Sequence, residues 1–382
     1  MRTDEAHEIV KLNPVFSSRL DWNLQTNRLS ALLKTKQRVL DLTESNPTRA
    51  GFEYPGERIL DALADPRVLR YDPEPRGLLS AREAVAGYYG DVPVSRILLT
   101  ASTSEAYAYL FKLLCDPGDE ILSPRPSYPL FEFLARLESV RVVQYPLRYD
   151  GVWHIDFDAL ERAITPRTKA IVVVNPNNPT GSFLKREEWS RLQRFGLPIL
   201  SDEVFSDYAF SPDDSRMRSL TNAPGALTFS MSGLSKIAAL PQMKLGWIVA
   251  TGPGHEAALE RLELIADTYL SVATPVQIAL PRLLEASVAL RRQILDRTRS
   301  NLALLRRSTV PLHVEGGWYA TLQIPRTKSE EDWAISLLDR RDVLVQPGFY
   351  FDFESEAFLV LSLLTPPEIF AEGLKRLLEE ID

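Results

Sequence analysis

Between residues 96 and 250 the chain alternates short β-branched or wholly apolar runs with longer stretches whose apolar residues recur at helical spacing. Arg96–Thr100, Glu120–Ser123, Val140–Tyr145, Ala170–Val174, Ile199–Asp202, Ala226–Ser230 and Leu245–Ala250 read as strands. Ser104–Leu114 and Pro129–Glu138 read as helices, the first stopped by Asp116-Pro117-Gly118-Asp119. Strands that alternate with helices build a mostly parallel sheet covered on both faces, here of seven strands. From about Ala257 the pattern turns helical, through Leu259–Thr268 and Val276–Val310. A smaller α/β unit follows, with strands expected at His313–Val314, Tyr319–Gln323 and Phe358–Leu363 and a last helix at Pro367–Leu378. The expected division is an N-terminal segment, 1–46, packing with the small domain, a large ligand-binding domain over 47–285, and a small C-terminal domain over 286–382. A chain of 382 residues is long enough for two cores.

Composition narrows the function. A net charge of −7 argues against a nucleic-acid surface, which needs clustered Lys and Arg. Cys115 is the only cysteine, so no internal disulfide forms, which fits a cytoplasmic location. It lies in the apolar run Leu113-Leu114-Cys115 and reads as an inert thiol. The first residues show no basic-then-apolar signal, and no apolar run approaches bilayer length. Four scattered histidines make a metal site unexpected. No G-x-G-x-x-G opens a strand-to-helix turn, which disfavours a nicotinamide enzyme.

The chemistry-bearing residues fall where parallel sheets bind ligands, at the carboxyl ends of strands. Lys236 ends Ser232-Gly233-Leu234-Ser235-Lys236, just beyond a strand, where an amine can reach an aldehyde cofactor. The loop Asn175-Pro176-Asn177-Asn178-Pro179-Thr180-Gly181 follows the strand 170–174 and leaves amide side chains to face a ligand. Asp202 ends the next strand, where a carboxylate can pair with a protonated pyridine nitrogen. Ser102-Thr103-Ser104 opens a helix, and its N–H groups and hydroxyls suit a phosphate.

In their order and spacing these motifs, with Tyr71 and Gly77 and with Pro126-Ser127-Tyr128, resemble the class I/II aminotransferase family, the fold type I pyridoxal-phosphate-dependent enzymes. The resemblance runs from about Asp41 to the end of the chain. It implies a homodimeric transaminase that moves an amino group from an amino donor to a 2-oxo acid, with pyridoxal 5′-phosphate held on Lys236 as a Schiff base. It further implies that Lys236 moves the proton and that Asp202 keeps the ring nitrogen protonated. Asn178 would bond the phenolic oxygen, Tyr128 would stack on the ring, and Thr103 and Ser104, with Ser102, would hold the phosphate. Ser232 or Ser235 would add a hydroxyl, and spacing does not decide which. Tyr71 would reach the neighbouring subunit's phosphate.

Three positions depart from the family pattern. Phe205 stands where a tyrosine usually bonds the cofactor's phenolic oxygen, and Tyr208 lies close in sequence. Lys244 stands where an arginine usually grips the phosphate, which leaves a charge but no fork. Val360 stands where an arginine usually clasps the substrate carboxylate, and no Lys, Arg or His occurs between Arg341 and Lys375. Asn46, Arg49 and Arg76 are the candidates to meet that carboxylate instead, and Trp318 with Tyr319 is a candidate wall for an apolar substrate. The missing clasp keeps a second reaction in view, that of a pyridoxal-phosphate lyase or decarboxylase of the same fold. It also leads to the expectation of poor activity with common amino acids unless Arg49 or Arg76 substitutes.

Overall fold

In the computed structural model, residues 16–22 and 25–381 are described; positions 1–15 and 23–24 of the expected N-terminal segment lie outside them. The large sheet is formed by β1 (Ile97–Thr100), β2 (Glu120–Arg125), β3 (Arg141–Tyr149), β4 (Trp153–Ile155), β5 (Thr168–Val174), β6 (Ile199–Asp202), β7 (Thr228–Gly233) and β8 (Gly246–Thr251). Their order across the sheet is β1-β8-β7-β6-β5-β2-β3-β4. The pairs within β7-β6-β5-β2-β3 are parallel, while β8 runs antiparallel to both β1 and β7. All seven anticipated strands are present, and the eighth, β4, is a three-residue antiparallel edge on β3. The central strands are buried along their length, as expected when helices cover both faces.

Helices α1 (Thr103–Leu114) and α2 (His255–Tyr269) pack against one face through Ala106, Leu110, Leu259 and Leu262, on Val172, Leu200, Phe229 and Ile248 of the strands. The other face of β1 and β8 is covered by the first half of α3 (Thr274–Ser308), through Val276, Leu280 and Leu283. The last turns of α3 contribute Leu302 and Leu305 to a separate core. That core is built from β9 (Tyr319–Gln323), β10 (Gln346–Pro347) and β11 (Phe358–Ser362), with β11 in the middle. Leu29 and Leu42 join it, and Leu40–Asp41 pairs in parallel with Val343–Leu344.

His313–Val314, expected as a strand, is not one. The His313 N–H donates to the Tyr149 hydroxyl (3.0 Å), so it makes no ladder contact. Just beyond it, the two cores are joined by charge. Glu315 accepts from the Phe183 N–H (2.9 Å), pairs with Arg216 (3.0 Å) and pairs with Lys185, all four groups being substantially buried. Gly316, next in the chain, lies so close to the Tyr208 carbonyl that a Cβ would come within 2.6 Å of it.

Candidate active site

At the carboxyl ends of β5, β6 and β7 lies a cavity of about 170 Å³, lined by Ser45, Ser102, Thr103, Ser104, Tyr128, Phe131, Val174, Asn178, Asp202, Val204, Phe205, Gly233, Ser235, Lys236, Leu245 and Tyr319. A larger groove of about 570 Å³ adjoins it and shares Tyr128 and Phe131, but contains neither the lysine nor Asp202.

One end is made by the start of α1. Ser102 is its N-cap and accepts from the Glu105 N–H (3.2 Å), while the Glu105 carboxylate accepts from the Ala101 N–H (2.6 Å). These bonds fix the first turn, whose free N–H groups and dipole favour an anion. The turn lies flat on β8 because residue 246 is glycine: a Cβ there would come within 3.1 Å of the Ser102 carbonyl carbon. Ser235 adds a hydroxyl to the cavity.

Lys236 sits on the short helical turn Leu234–Ile237 directly after β7. Burial pushes its amine down to about 8, against the opposing pull of the Asp202 charge. Its Nζ lies 4.9 Å from the centre of the Trp318 ring and 5.7 Å from that of Phe205. Asp202 is buried at the end of β6, and burial raises its carboxyl to about 6. It accepts from the Tyr107 hydroxyl and from the Val204 N–H, each at 3.3 Å. The site therefore holds an amine and a carboxylate that are both drawn toward the neutral pH range, a condition suited to proton transfer.

The loop after β5 uses its amides unequally. Asn175 bonds the Met217 carbonyl (2.6 Å) and the Leu184 N–H (3.0 Å). Asn177 bonds the Ser127 hydroxyl (3.0 Å), the Pro126 carbonyl (3.0 Å) and Thr180 (2.9 Å). Both hold the loop and the 126–128 segment together. Asn178 is the one that lines the cavity, and its Oδ1 is buried with no hydrogen-bond partner. A native structure rarely keeps such an atom unpaired without a ligand or water to meet it.

The opposite wall is aromatic. Phe205 meets Trp318 edge-on, ring centres 5.1 Å apart, and Tyr319 at 6.3 Å. Tyr319 lines the cavity, whereas Trp318 is fully buried behind it, so the expected pair splits into a lining residue and a backing one. Val360, on β11, is fully buried in the same apolar cluster. Tyr208 does not replace the phenol that Phe205 lacks, because its hydroxyl donates to the Lys236 carbonyl (2.6 Å) and it is absent from the lining.

Several candidates lie elsewhere in this chain. Ser232 is buried within β7, its Oγ without a partner, and Ser235 faces the cavity instead. Lys244 is exposed, with a left-handed φ of 49°, at the end of the turn Pro241–Met243; its neighbour Leu245 lines the cavity. The Asn46 side-chain Oδ1 is occupied by Thr48, which donates from its N–H (3.0 Å) and its hydroxyl (2.7 Å); Ser45, not considered from sequence, takes the place in the lining. Arg49 is exposed outside the cavity, and Arg76 is tied to Glu263 (2.6 Å) and the Ser95 carbonyl (3.3 Å). Tyr71 is exposed and borders a different cavity, with Tyr109 and Gln277. Phe131 and Tyr107 also went unread; Tyr107 lies one helical turn beyond Thr103 on the buried face of α1, which was the available signal.

Among the described residues no helix is long and apolar enough to cross a membrane, and no cluster of three or more His, Cys, Asp or Glu is placed to hold a metal ion. The family model described as aminotransferase class I and II matches residues 37–377. Glutamate-pyruvate aminotransferase AlaA of Escherichia coli K12 is 33% identical over 255 residues, a match spanning 64% of this chain and 62% of that enzyme. The alanine aminotransferase of Mycobacterium bovis is 30% identical over 369 residues, 89% of this chain and 85% of the relative. Among solved structures, an aminotransferase from Escherichia coli superposes with a TM-score of 0.82 at 26% identity, covering 96% of this chain and 98% of the other.

Proposed function

The chain belongs to the class I and II aminotransferase family, and from that premise we propose that it is a pyridoxal-phosphate-dependent transaminase that moves an amino group from an amino donor to an oxo acid at the Lys236 cavity. The observation that carries this reading is the buried pairing of a depressed lysine and a raised aspartate in one cavity, between a helix N-terminus and an unpartnered Asn178 Oδ1. These residues fit the cofactor's three kinds of group. The N-terminus of α1 with Ser102, Thr103, Ser104 and Ser235 suits the phosphate, Asp202 suits the ring nitrogen, and Asn178 suits the phenolic oxygen.

When bound, pyridoxal phosphate supplies an aldehyde and an electron-accepting ring. The protein's part is to hold and to move protons. Lys236 presents an amine that is largely uncharged at mildly alkaline pH, able to bond the aldehyde and then to carry a proton to and from the substrate carbon. Asp202, desolvated and held by Tyr107, presents its charge to a protonated ring nitrogen and so keeps that proton in place. Tyr128 and Phe131 give the cavity an aromatic side that excludes water.

As in the resemblance set out above, the assembly we propose is a homodimer in which Tyr71 of each subunit, exposed here, reaches the other subunit's phosphate site. The lone Cys115, without an internal disulfide partner, agrees with a cytoplasmic setting. Borohydride reduction followed by peptide mapping tests the assignment: a phosphopyridoxyl group is expected on Lys236, and Lys236→Ala is expected to lose both the adduct and turnover. A label on another lysine overturns it.

A further inference from the structure

We propose that the cavity is built for substrates that are neutral beside the reacting carbon: primary amines with alkyl or aryl substituents, and the matching ketones or aldehydes, in preference to α-amino acids and oxo acids. The inference rests on the transaminase reading above and ranks its substrates: the oxo acid named there also reacts, but less readily than a neutral ketone or aldehyde.

The charges settle first. Among the described residues that line the cavity, Lys236 is the one cation, and its amine is the reacting group. Asp202 is the one carboxylate. Three arginines, Arg49, Arg76 and Arg297, do not line the cavity. Arg76 is paired with Glu263, Arg49 stands exposed outside the cavity, and Arg297, which approaches the same apolar cluster, donates its Nη1 to the carbonyls of Ala50 and Leu364 and lies over the Phe52 ring. Among the described lining residues of this chain, a substrate carboxylate entering here meets no guanidinium to offset its lost hydration, and it enters beside the anion of Asp202.

The wall agrees with the charges. Phe205, Tyr319 and the Trp318 behind them form one aromatic face, backed by Val360, Phe351 and Leu364, all buried. Its polar groups are neutral: the hydroxyls of Ser45, Tyr128 and Tyr319. Such a surface rewards apolar area and accepts a neutral dipole, while offering an anion no counter-charge. The net exchange needs no outside oxidant. The donor carbon is oxidised from amine to carbonyl and the acceptor carbon is reduced from carbonyl to amine. The NH₂ and one carbon-bound hydrogen pass one way, and the oxygen passes the other. Oxo acids and amino acids still react, but bind weakly.

Matched pairs differing only in the carboxylate test this on the wild-type holoenzyme. The half-reaction, read as loss of the visible band, is expected to be at least tenfold faster per unit concentration with 2-phenylethylamine than with phenylalanine. Calorimetry with non-reacting ligands is expected to show 3-phenylpropanamide binding at least tenfold more tightly than 3-phenylpropanoate. Faster reaction with phenylalanine, or tighter binding of the carboxylate, overturns the proposal. If borohydride fixes the cofactor on Lys236 yet neither amine nor amino acid discharges the band, the transaminase reading falls and this inference falls with it. If the amide binds more tightly and the amine reacts faster, both stand.

Discussion

The two ends of the cavity are made in different ways. The end at α1 is polar and built from backbone: a capped helix start, three successive hydroxyl residues and a glycine at 246 that lets the turn lie on β8. The end at Phe205 is built from side chains beside both the large and the small sheet, with β9 and β11 supplying Trp318, Tyr319 and Val360 at or beside strand positions. The first end can receive an anion of almost any origin, because backbone N–H groups and a helix dipole do not depend on side-chain identity. The second end changes character with one substitution. In the function proposed here, recognition of the cofactor would be carried by a conservative part of the architecture, and recognition of the substrate by an adjustable one. Asp202 and Lys236 stand between them.

The largest expected effect comes from breaking that junction. Asp202→Asn removes the charge but keeps an acceptor for Tyr107, and the half-reaction is expected to slow on the order of 10²- to 10³-fold. The same change should stabilise the cofactor-free protein. The folded carboxyl of Asp202 is raised from 3.8 to about 6, so stability present below pH 4 is lost as pH rises through 6. Asparagine cannot ionise and retains it, on the order of 2–3 kcal/mol at pH 7.5. A melting curve of the cofactor-free variant that lies at or below the wild type at that pH would show that the Asp202 charge is compensated.

A smaller effect measures how strongly the aromatic end acts on the lysine. With the Lys236 amine down at about 8, capture of the cofactor by the cofactor-free protein should rise with pH, about tenfold per unit below 8, and level off above it. A rise that continues toward pH 10 would mean that the wall does not desolvate the amine. The smallest effect sharpens the comparison by moving a hydroxyl from one kind of end to the other. Phe205→Tyr restores a phenol at this position of the aromatic wall, which the Tyr208 hydroxyl, bonded to the Lys236 carbonyl, does not supply. The pH midpoint of the bound cofactor's colour change is expected to fall by about one unit, the size of one charge-assisted hydrogen bond. An unchanged midpoint would place residue 205 out of reach.

What could be read from sequence followed range. Ile199–Asp202 was legible to the residue, because the apolar run Leu197–Leu200 ends on Ser201-Asp202. The α1 start was legible because Ser-Thr-Ser after a strand is a local signal. β4 was not, since three residues carry no periodicity of their own and depend on β3 for pairing. His313–Val314 looked like a strand by composition, yet the His313 N–H is directed to Tyr149, and the N–H groups of Glu315 and Gly316 that follow go to the Gly181 carbonyl. Within the site, Lys236, Asp202 and Asn178 were readable from strand ends. The choice of Ser45 over Asn46 turned on the pointing of adjacent residues, which a one-residue offset reverses, and that of Ser235 over Ser232 on where β7 ends and the turn Leu234–Ile237 begins. Arg76 was open as a substrate ligand until its partner Glu263, 187 residues away, was in view.

The helix α3 sets a phase between the two cores. It runs unbroken through 35 residues, about 52 Å at 1.5 Å per residue, with Val276 to Ala286 seated on the large sheet and Leu302 and Leu305 seated in the small core. The angle at which Trp318 faces Lys236 is thereby geared to a count of residues. One residue inserted near the exposed Val288 would turn everything beyond it by about 100° and advance it by about 1.5 Å, carrying the aromatic wall off the cavity. The same insertion in the exposed loop at Pro212–Asp214 would act locally, since no element that links the two cores passes through it. In this protein the length of a solvent-facing helix is part of the definition of the active site.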